Sequence, residues 1–202
     1  MKNTVQVWDP LIRIFHWALV VFFTTAFITG DEESILHIYA GYTVIGLVLF
    51  RILLGFIGSD HARFRDFVFG PGKLVDYLKS LVSGNSKRYI GHNPAGGYMV
   101  VAMLITLLVV CVTGLKVYAA EGHGPLAVNA ETSLIASARA EEGSEVGEKS
   151  ENNAEEFWEE IHEAASYFML VLIALHIIGV VVSGRLHKEN LVKAMITGSK
   201  DA

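Results

Sequence analysis

Residues 156–176 read EFWEEIHEAASYFMLVLIALH, and this stretch decides the fold of the chain. Its acidic opening gives way to an apolar run with the composition of a membrane-spanning helix. His162 and His176 lie fourteen residues apart in it. Fourteen residues are close to four helical turns, so both rings leave one face, roughly 21 Å apart along the axis. The stretch therefore predicts one helix with a histidine near each side of a bilayer.

The whole chain has the composition of a membrane protein. Of its 202 residues, 52% are hydrophobic and 18% are charged, and the mean hydropathy is +0.42. This composition excludes an ordinary soluble domain. We expect membrane lipid around the chain and no nucleic-acid partner. Cys111 is the single cysteine and there is no C-x-x-C-H motif. An internal disulfide framework and covalently attached haem are both excluded.

Apolar runs predict four membrane-spanning helices, at about residues 10–30, 35–58, 97–118 and 160–183. Each has about the twenty residues that a bilayer requires. The first run is too long for a signal peptide, carries Arg13 and His16 near its start, and lacks a small-x-small cleavage site. We expect one all-α membrane domain over residues 1–202, a four-transmembrane-helix bundle. Two short interfacial amphipathic helices are predicted in addition, at residues 71–82 and around residues 191–196.

The charges predict the orientation of these helices. Lysines and arginines cluster in the N-terminal segment, between crossings two and three, and in the C-terminal tail. By the positive-inside rule both termini are cytoplasmic, and loop 119–159 lies outside. Residues 119–160 hold eleven glutamates against Arg139 and Lys149. A docking patch for a basic partner and a solvated linker remain alternative interpretations of the acidic loop.

With the orientation assigned, four histidines form two pairs by depth. His16 and His176 both lie one and a half to two turns from the cytoplasmic ends of their helices. His37 and His162 both open a helix at the outer surface. Histidines inside membranes are costly and tend to be functional. Zinc usually takes four ligands around one point, whereas two ligands at each of two depths suit a planar macrocycle. We therefore expect two bis-histidine haems b.

Several other residues have candidate roles. Arg13 shares a helix face with His16 at the inner surface and is a candidate partner for a haem propionate. His92 and His187 are candidates for contacting a propionate or a quinone, with exposed interfacial histidines as the alternative. Gly41 belongs to a run of small residues that admits a close helix or a flat ligand. Arg51 is expected to reach the interface with its charged end.

The repeat Ile28-Thr-Gly30 and Val112-Thr-Gly114 has two interpretations. It either lets the outer haem pack against the backbone or only ends helices one and three.

The chain resembles the four-helix bacterial cytochrome b family, which includes cytochrome b561-like proteins and the cytochrome b subunits of nickel-iron hydrogenases and formate dehydrogenases. The resemblance covers nearly the whole chain. The matching residues are Trp8-Asp9-Pro10-Leu-Ile-Arg13-Ile-Phe-His16-Trp17, His37-x-x-x-Gly41, His162 with His176, and His187-Lys-Glu-Asn-Leu-Val-Lys-Ala-Met-Ile-Thr-Gly198.

The resemblance implies a dihaem subunit that carries electrons across the bacterial inner membrane. Its partners would be the quinone pool and a periplasmic c-type cytochrome, hydrogenase or other redox subunit. One alternative is a self-contained oxidoreductase that passes electrons from superoxide, or another small donor, to quinone. Another is a haem-free transporter or scaffold. Whether the chain is itself an enzyme therefore stays open at this point.

Overall fold

The structure is a computed structural model and describes residues 4–30, 34–127 and 144–201, with side chains described from residue 155 in the last range. Four helices are long and apolar enough to cross a membrane: α1 (Pro10–Ile28), α2 (Ile35–Ile57), α5 (Pro94–Ala120) and the segment Glu155–His187 of α6 (Ser144–His187). Short elements complete the described chain: α3 (Phe64–Phe67), α4 (Pro71–Val82), α7 (Leu191–Thr197), β1 (Thr4–Gln6) and β2 (Ser199–Asp201).

The prediction of an all-α membrane protein with four crossings is confirmed. Large apolar side chains remain exposed along the spanning helices, with Ile28 at 72%, Phe56 at 71% and Ile57 at 80%. Such a surface is costly in water and suits the hydrocarbon of a bilayer. Both amphipathic segments are also helical, as α4 and α7. On α4, Val75 and Leu78 are about half exposed, as expected of a helix lying at an interface.

Local sequence sets where the helices begin. The Asp9 carboxylate accepts a hydrogen bond from the Leu11 N–H at 2.8 Å, and Pro10 occupies the first turn of α1. The Ser34 hydroxyl accepts from the Leu36 N–H at the start of α2. Each cap satisfies a backbone donor that the first helical turn leaves without a partner. Proline at this position loses no helical hydrogen bond.

Two helices exceed their predicted bounds. α5 starts at Pro94 and continues to Ala120, so Val112-Thr-Gly114 lies inside the helix and does not end it. α6 starts at Ser144, well before the predicted residue 160. Residues 155–161 are mostly glutamate and other helix-compatible types, which allows the helix to extend past its apolar part. The centre of the acidic loop, at 128–143, lies outside the described residues, as does the side chain of Lys149.

The contacts divide the chain into two compact units, Met1–Ile105 with Leu170–Ala202 and Thr106–Met169. In the first unit α1 packs against α2. β1 pairs antiparallel with β2, with Val5 opposite Lys200. The carbonyl of Gly198, a left-handed residue with φ of 86° that ends α7, accepts hydrogen bonds from Val7 and Trp8. This pairing joins the two ends of the chain and was not predicted from the sequence.

One prediction about α2 is corrected. Arg51 does not reach the interface, because its side chain is only 3% exposed and donates to the Ala62 carbonyl at 2.8 Å. Gly55, on the same helix, allows close packing within the protein. A Cβ added there would lie 2.0 Å from the Phe64 ring, so only glycine lets α2 meet this ring. Both contacts arise because the segment after α2 folds back onto its end.

Glu189 joins the end of α6 to the chain terminus. Its carboxylate accepts from Arg88 at 2.5 Å and lies 3.3 Å from the Lys200 ammonium, which is itself buried. Arg88 also donates to the Asp201 carbonyl. Burial alone would raise the pKa of Glu189, but the Arg88 hydrogen bond and the Lys200 charge outweigh it and hold the pKa below its ordinary value.

Replacing Glu189 with glutamine should destabilise the protein near neutral pH by about 1–3 kcal/mol, since a charge-assisted bond is lost and Lys200 remains buried. A lowered folded-state pKa gives stability that is present above the unfolded pKa and lost as pH falls through the folded value. Melting temperatures in detergent should therefore differ at pH 7 and converge below about pH 4. A constant difference down to pH 3 would contradict this ionic role.

Candidate functional site

His16 on α1 and His176 on α6 meet within the first unit. Both side chains are half-buried, and their ring centroids lie 6.5 Å apart with an interplanar angle of 50°. The structure thus brings together the two histidines that the sequence paired by depth. The apolar faces of two spanning helices supply their surroundings.

The spacing of these rings fits a metal ion between them. Each metal–nitrogen bond is about 2.0 Å long. Two such bonds, together with the radii of two imidazole rings, account for a centroid separation of roughly the observed 6.5 Å. The Nδ1 atom of His16 is buried and has no hydrogen-bond partner among the described residues. No three His, Cys, Asp or Glu side chains gather as a metal cluster in the described ranges. The donor set at this position is therefore a histidine pair, which is suited to the two axial positions of a haem.

His37 is held by the end of α1. Its Nδ1 lies 2.8 Å from the Ala26 carbonyl oxygen. A Cβ added at Gly30 would lie 3.6 Å from the same nitrogen, at ordinary contact distance. Thr29 lies between Ala26 and Gly30 in the sequence, and its hydroxyl donates a hydrogen bond to the Thr25 carbonyl at 2.8 Å. The ring of His37 is therefore oriented by the segment that ends α1.

His162 is held in the same way within the second unit. Its Nδ1 lies 3.0 Å from the Val110 carbonyl oxygen and 3.1 Å from the Thr113 hydroxyl. Thr113 donates back to the Val109 carbonyl at 2.8 Å. A Cβ added at Gly114 would lie 2.9 Å from the His162 ring, closer than real Cβ contacts. His162 therefore rests against the backbone of α5 at a position where only glycine fits.

The two arrangements have one motif in common. In each, the histidine Nδ1 bonds to the carbonyl four residues before the glycine of an Ile/Val-Thr-Gly sequence. A carbonyl oxygen only accepts, so Nδ1 carries the hydrogen and Nε2 carries the lone pair that a metal requires. Metal-ligating histidines are typically oriented through their second nitrogen in this manner. The repeat therefore serves to orient a histidine in each unit.

The surroundings of Gly41 are open. It lies one turn after His37 on α2, and a Cβ added there would meet no atom within 4 Å. This space is of the kind that the predicted flat ligand requires. Gly46 on the same helix is equally open.

Arg13 lies near the start of α1 and contacts the C-terminal segment. Its Nη1 donates to the Ile196 carbonyl at 2.5 Å. Its Nε is buried and has no hydrogen-bond partner among the described residues. One donor of this guanidinium thus holds α7, and a second is available for an anionic group such as a carboxylate.

His92 lies just before α5, between aromatic rings. Its ring centroid is 4.7 Å from that of Trp8 and 4.8 Å from that of Phe67, and its Nδ1 is buried without a partner among the described residues. Burial, reinforced by the positive charges of Arg51 and Lys200, lowers the pKa of His92 to about 3. The ring is therefore neutral at physiological pH. It suits a hydrogen bond to a ligand better than an ion pair.

His187, the last residue of α6, lies elsewhere in the first unit. Its Nε2 is 3.3 Å from the Ser86 hydroxyl, in the segment that leads to α5. This contact joins the end of α6 to the segment between α4 and α5.

The contacts of several supporting residues are not predictable from the sequence. Thr29 and Thr113 were seen only as members of a repeat, and the repeat itself was the signal that linked them. Arg51 was recognised as a charge in an apolar run, but its burial depends on the segment around Ala62. The aromatic contacts of His92 join three segments distant in sequence, so no local pattern predicts them.

A family model described as prokaryotic cytochrome b561 matches residues 7–198 of the chain. No solved structure shows a significant match. The match includes His16, His37, His162 and His176.

Three curated relatives carry the name probable Ni/Fe-hydrogenase B-type cytochrome subunit. The relative from Rhizobium leguminosarum bv. viciae is 27% identical over 152 residues, which cover 61% of this chain and 63% of the relative. The relatives from Bradyrhizobium diazoefficiens and Azotobacter vinelandii are each 26% identical over 153 residues, covering 61% of this chain and 61% and 62% of theirs. The matched regions thus span less than two thirds of these relatives. With the family match extending over nearly the whole sequence, this chain belongs to the prokaryotic cytochrome b561 family.

Proposed function

We propose that this chain is a dihaem b-type cytochrome that carries electrons across the bacterial inner membrane, between a periplasmic redox partner and the quinone pool. A cytochrome b family implies haem b as the cofactor. The observation that carries the proposal is the half-buried pair of His16 and His176, whose rings lie 6.5 Å apart. Histidines at both axial positions favour electron transfer over oxygen binding.

His37 and His162 are proposed as the ligands of the second haem. Each is fixed through Nδ1 to a helix carbonyl, which orients the ring and increases the basicity of Nε2. The fourteen-residue spacing between His162 and His176 favours two sites over one. Gly41, one turn from His37, supplies open space on the face of α2 that such a flat group requires.

The chain's own part in the reaction is to hold the haem, to orient the histidine ligands and to insulate them from water. When bound, haem supplies the one-electron change between ferrous and ferric iron. The apolar side chains of the four helices keep water away from the ligands. The hydrogen bonds of His37 and His162 fix their tautomers before anything binds, so these rings need little reorganisation.

The proposed quinone exchange lies at the cytoplasmic end of the first unit. Arg13 has a buried Nε donor, and His92 is a neutral ring with a buried Nδ1. Either group is able to bond a propionate or a quinone oxygen. His187 is the third candidate, at the end of α6.

A nickel-iron hydrogenase is the periplasmic partner favoured by the names of the three relatives. A c-type cytochrome or another redox subunit would serve the same exchange. The acidic stretch of residues 119–160, which includes the start of α6, is the proposed docking region on the outer side, because its many glutamates attract a basic surface.

The purified protein should give a pyridine haemochrome spectrum of two b-type haems per chain. Two bis-histidine pairs predict this count, and Soret and α-band spectra should show six-coordinate, low-spin iron in both redox states. A preparation without haem would overturn the proposal, and one haem per chain would overturn the second site.

The superoxide–quinone alternative gains no support from the described residues. It requires basic residues around an outward pocket to attract an anion. Lys116 lies over the Trp158 ring, 5.8 Å from its centroid, and Arg139 falls outside the described residues. Assaying superoxide-driven quinone reduction by the isolated protein separates the two activities. Family membership also argues against a haem-free transporter or scaffold.

A further inference from the structure

Arg51 is a buried positive charge that has no acidic partner among the described residues. It is 3% exposed, and its one hydrogen bond among the described residues goes from Nη1 to the Ala62 carbonyl. The carboxylates nearest in sequence, Asp60 and Asp66, both pair with Arg63. Arginine remains protonated even when buried. Within the described parts of the chain, a carbonyl and aromatic rings therefore surround a full charge inside the protein.

The position of this charge is tightly held. The guanidinium carbon lies 5.6 Å from the ring centroids of Phe64 and of Phe67. Phe67 is 1% exposed, and its carbonyl would lie 2.1 Å from a Cβ added at Gly97, so the two backbones are in direct contact. The carbonyl dipole and two ring faces stabilise the cation, but more weakly than a carboxylate would.

Arg51 lies at about the depth of the inner histidine pair. It is six residues, or about 9 Å, before the end of α2, and His16 is six residues after the start of the adjacent α1. Phe67 also contacts His92, with 4.8 Å between the centroids of the two rings. Arg51, Phe67 and His92 therefore belong to one buried cluster near the start of α5.

We propose that Arg51 is a positioning residue that sets the reduction potential of the inner haem. It does so by supplying a fixed positive charge at the depth of that haem. The proposal rests on the proposed function. Reduction adds one negative charge to the site, so a nearby buried cation favours the ferrous state. Adjacent helix axes are about 8–10 Å apart. At about 10 Å and an effective dielectric of about 20, one charge changes an equilibrium on the order of tenfold.

The test is a redox titration of the purified holoprotein and of R51M, which replaces the cation with an apolar chain that suits the space between two aromatic rings. The potential of one haem should fall by about 59 mV, which corresponds to a tenfold change for one electron. The other haem should keep its potential. R51K keeps the charge and should shift less than half as far.

Arg185 provides the matched control, since it is an exposed cation at the cytoplasmic end of α6. R185M should leave both potentials unchanged because solvent screens that charge. Two haems with unaltered potentials in R51M would overturn the role of Arg51 and leave the proposed function standing. A wild-type protein without haem would instead overturn the proposed function.

R51Q keeps a donor for the Ala62 carbonyl and replaces R51M if the latter does not accumulate. If neither neutral variant accumulates while R51K does, the charge is required for folding and the proposal is wrong. Equal shifts in R51K and R51M would also overturn it, because packing and not charge would then be responsible.

Discussion

A protein with His176 replaced by alanine should contain one haem b per chain, whereas the proposed function predicts two for the unaltered protein. The His176 ring faces His16 at 6.5 Å, so alanine removes one of the two donors at the inner site. A haem held by a single histidine loses one metal–nitrogen bond and its low-spin state. Pyridine haemochrome analysis gives the count, and the Soret spectrum reports the spin state of what remains.

His16→Ala should have the same effect, since both variants empty the same site. His162→Ala should remove the other haem only. His123→Ala is the matched control: this ring stacks on Tyr118 in the turn after α5 and belongs to neither pair. Loss of both haems in His176→Ala, in a protein that still folds, would show that the histidines are paired wrongly.

Replacing Gly114 with valine should remove the outer haem without altering any ligand. A Cβ at this position would lie 2.9 Å from the His162 ring, and the added methyl groups need further space. The ring must then leave the Val110 carbonyl that orients it. Losing such an orienting contact typically costs a metal site 10- to 100-fold in affinity, roughly, and displacing the ring itself costs more. The expected result is one haem per chain, with the inner spectrum unchanged.

Gly179→Val is the control for this variant. Gly179 also lies on a spanning helix, but a Cβ added there meets no atom within 4 Å. The control should therefore keep both haems. Any general effect of placing valine in an apolar helix would appear in both variants, so a loss seen only in Gly114→Val is specific to that position. Two fully occupied haems in Gly114→Val would show that the close approach to His162 is not required.

Much of the fold follows from local sequence, and the candidate ligands follow with it. The apolar runs set the four crossings because each needs about twenty residues to span hydrocarbon. Asp9 and Ser34 begin α1 and α2 through their own side chains. The pairing of His16 with His176 required only helical periodicity and the positive-inside rule. Apolar length, capping and helical periodicity depend on residues close together in one helix, and the positive-inside rule depends on charges next to each crossing. A single sequence is therefore enough to apply them.

Tertiary contacts decided the rest. The sequence showed Thr-Gly twice, but only packing revealed that each repeat supports a histidine, because the carbonyl and the ring belong to different helices. Arg51 was expected at the interface, and the fold-back of residues around Ala62 and Phe67 buried it.

The final distinction is physical. The sequence alone determined which segments are able to cross a membrane and where the histidines stand along them, since hydrophobicity and helix geometry are local properties. Only the tertiary structure decided which nitrogen of His37 and His162 carries the hydrogen, and where the buried charge of Arg51 acts. Hydrogen bonds and fixed charges depend on distances of a few ångströms between residues far apart in the chain, and such distances exist only once the helices have packed.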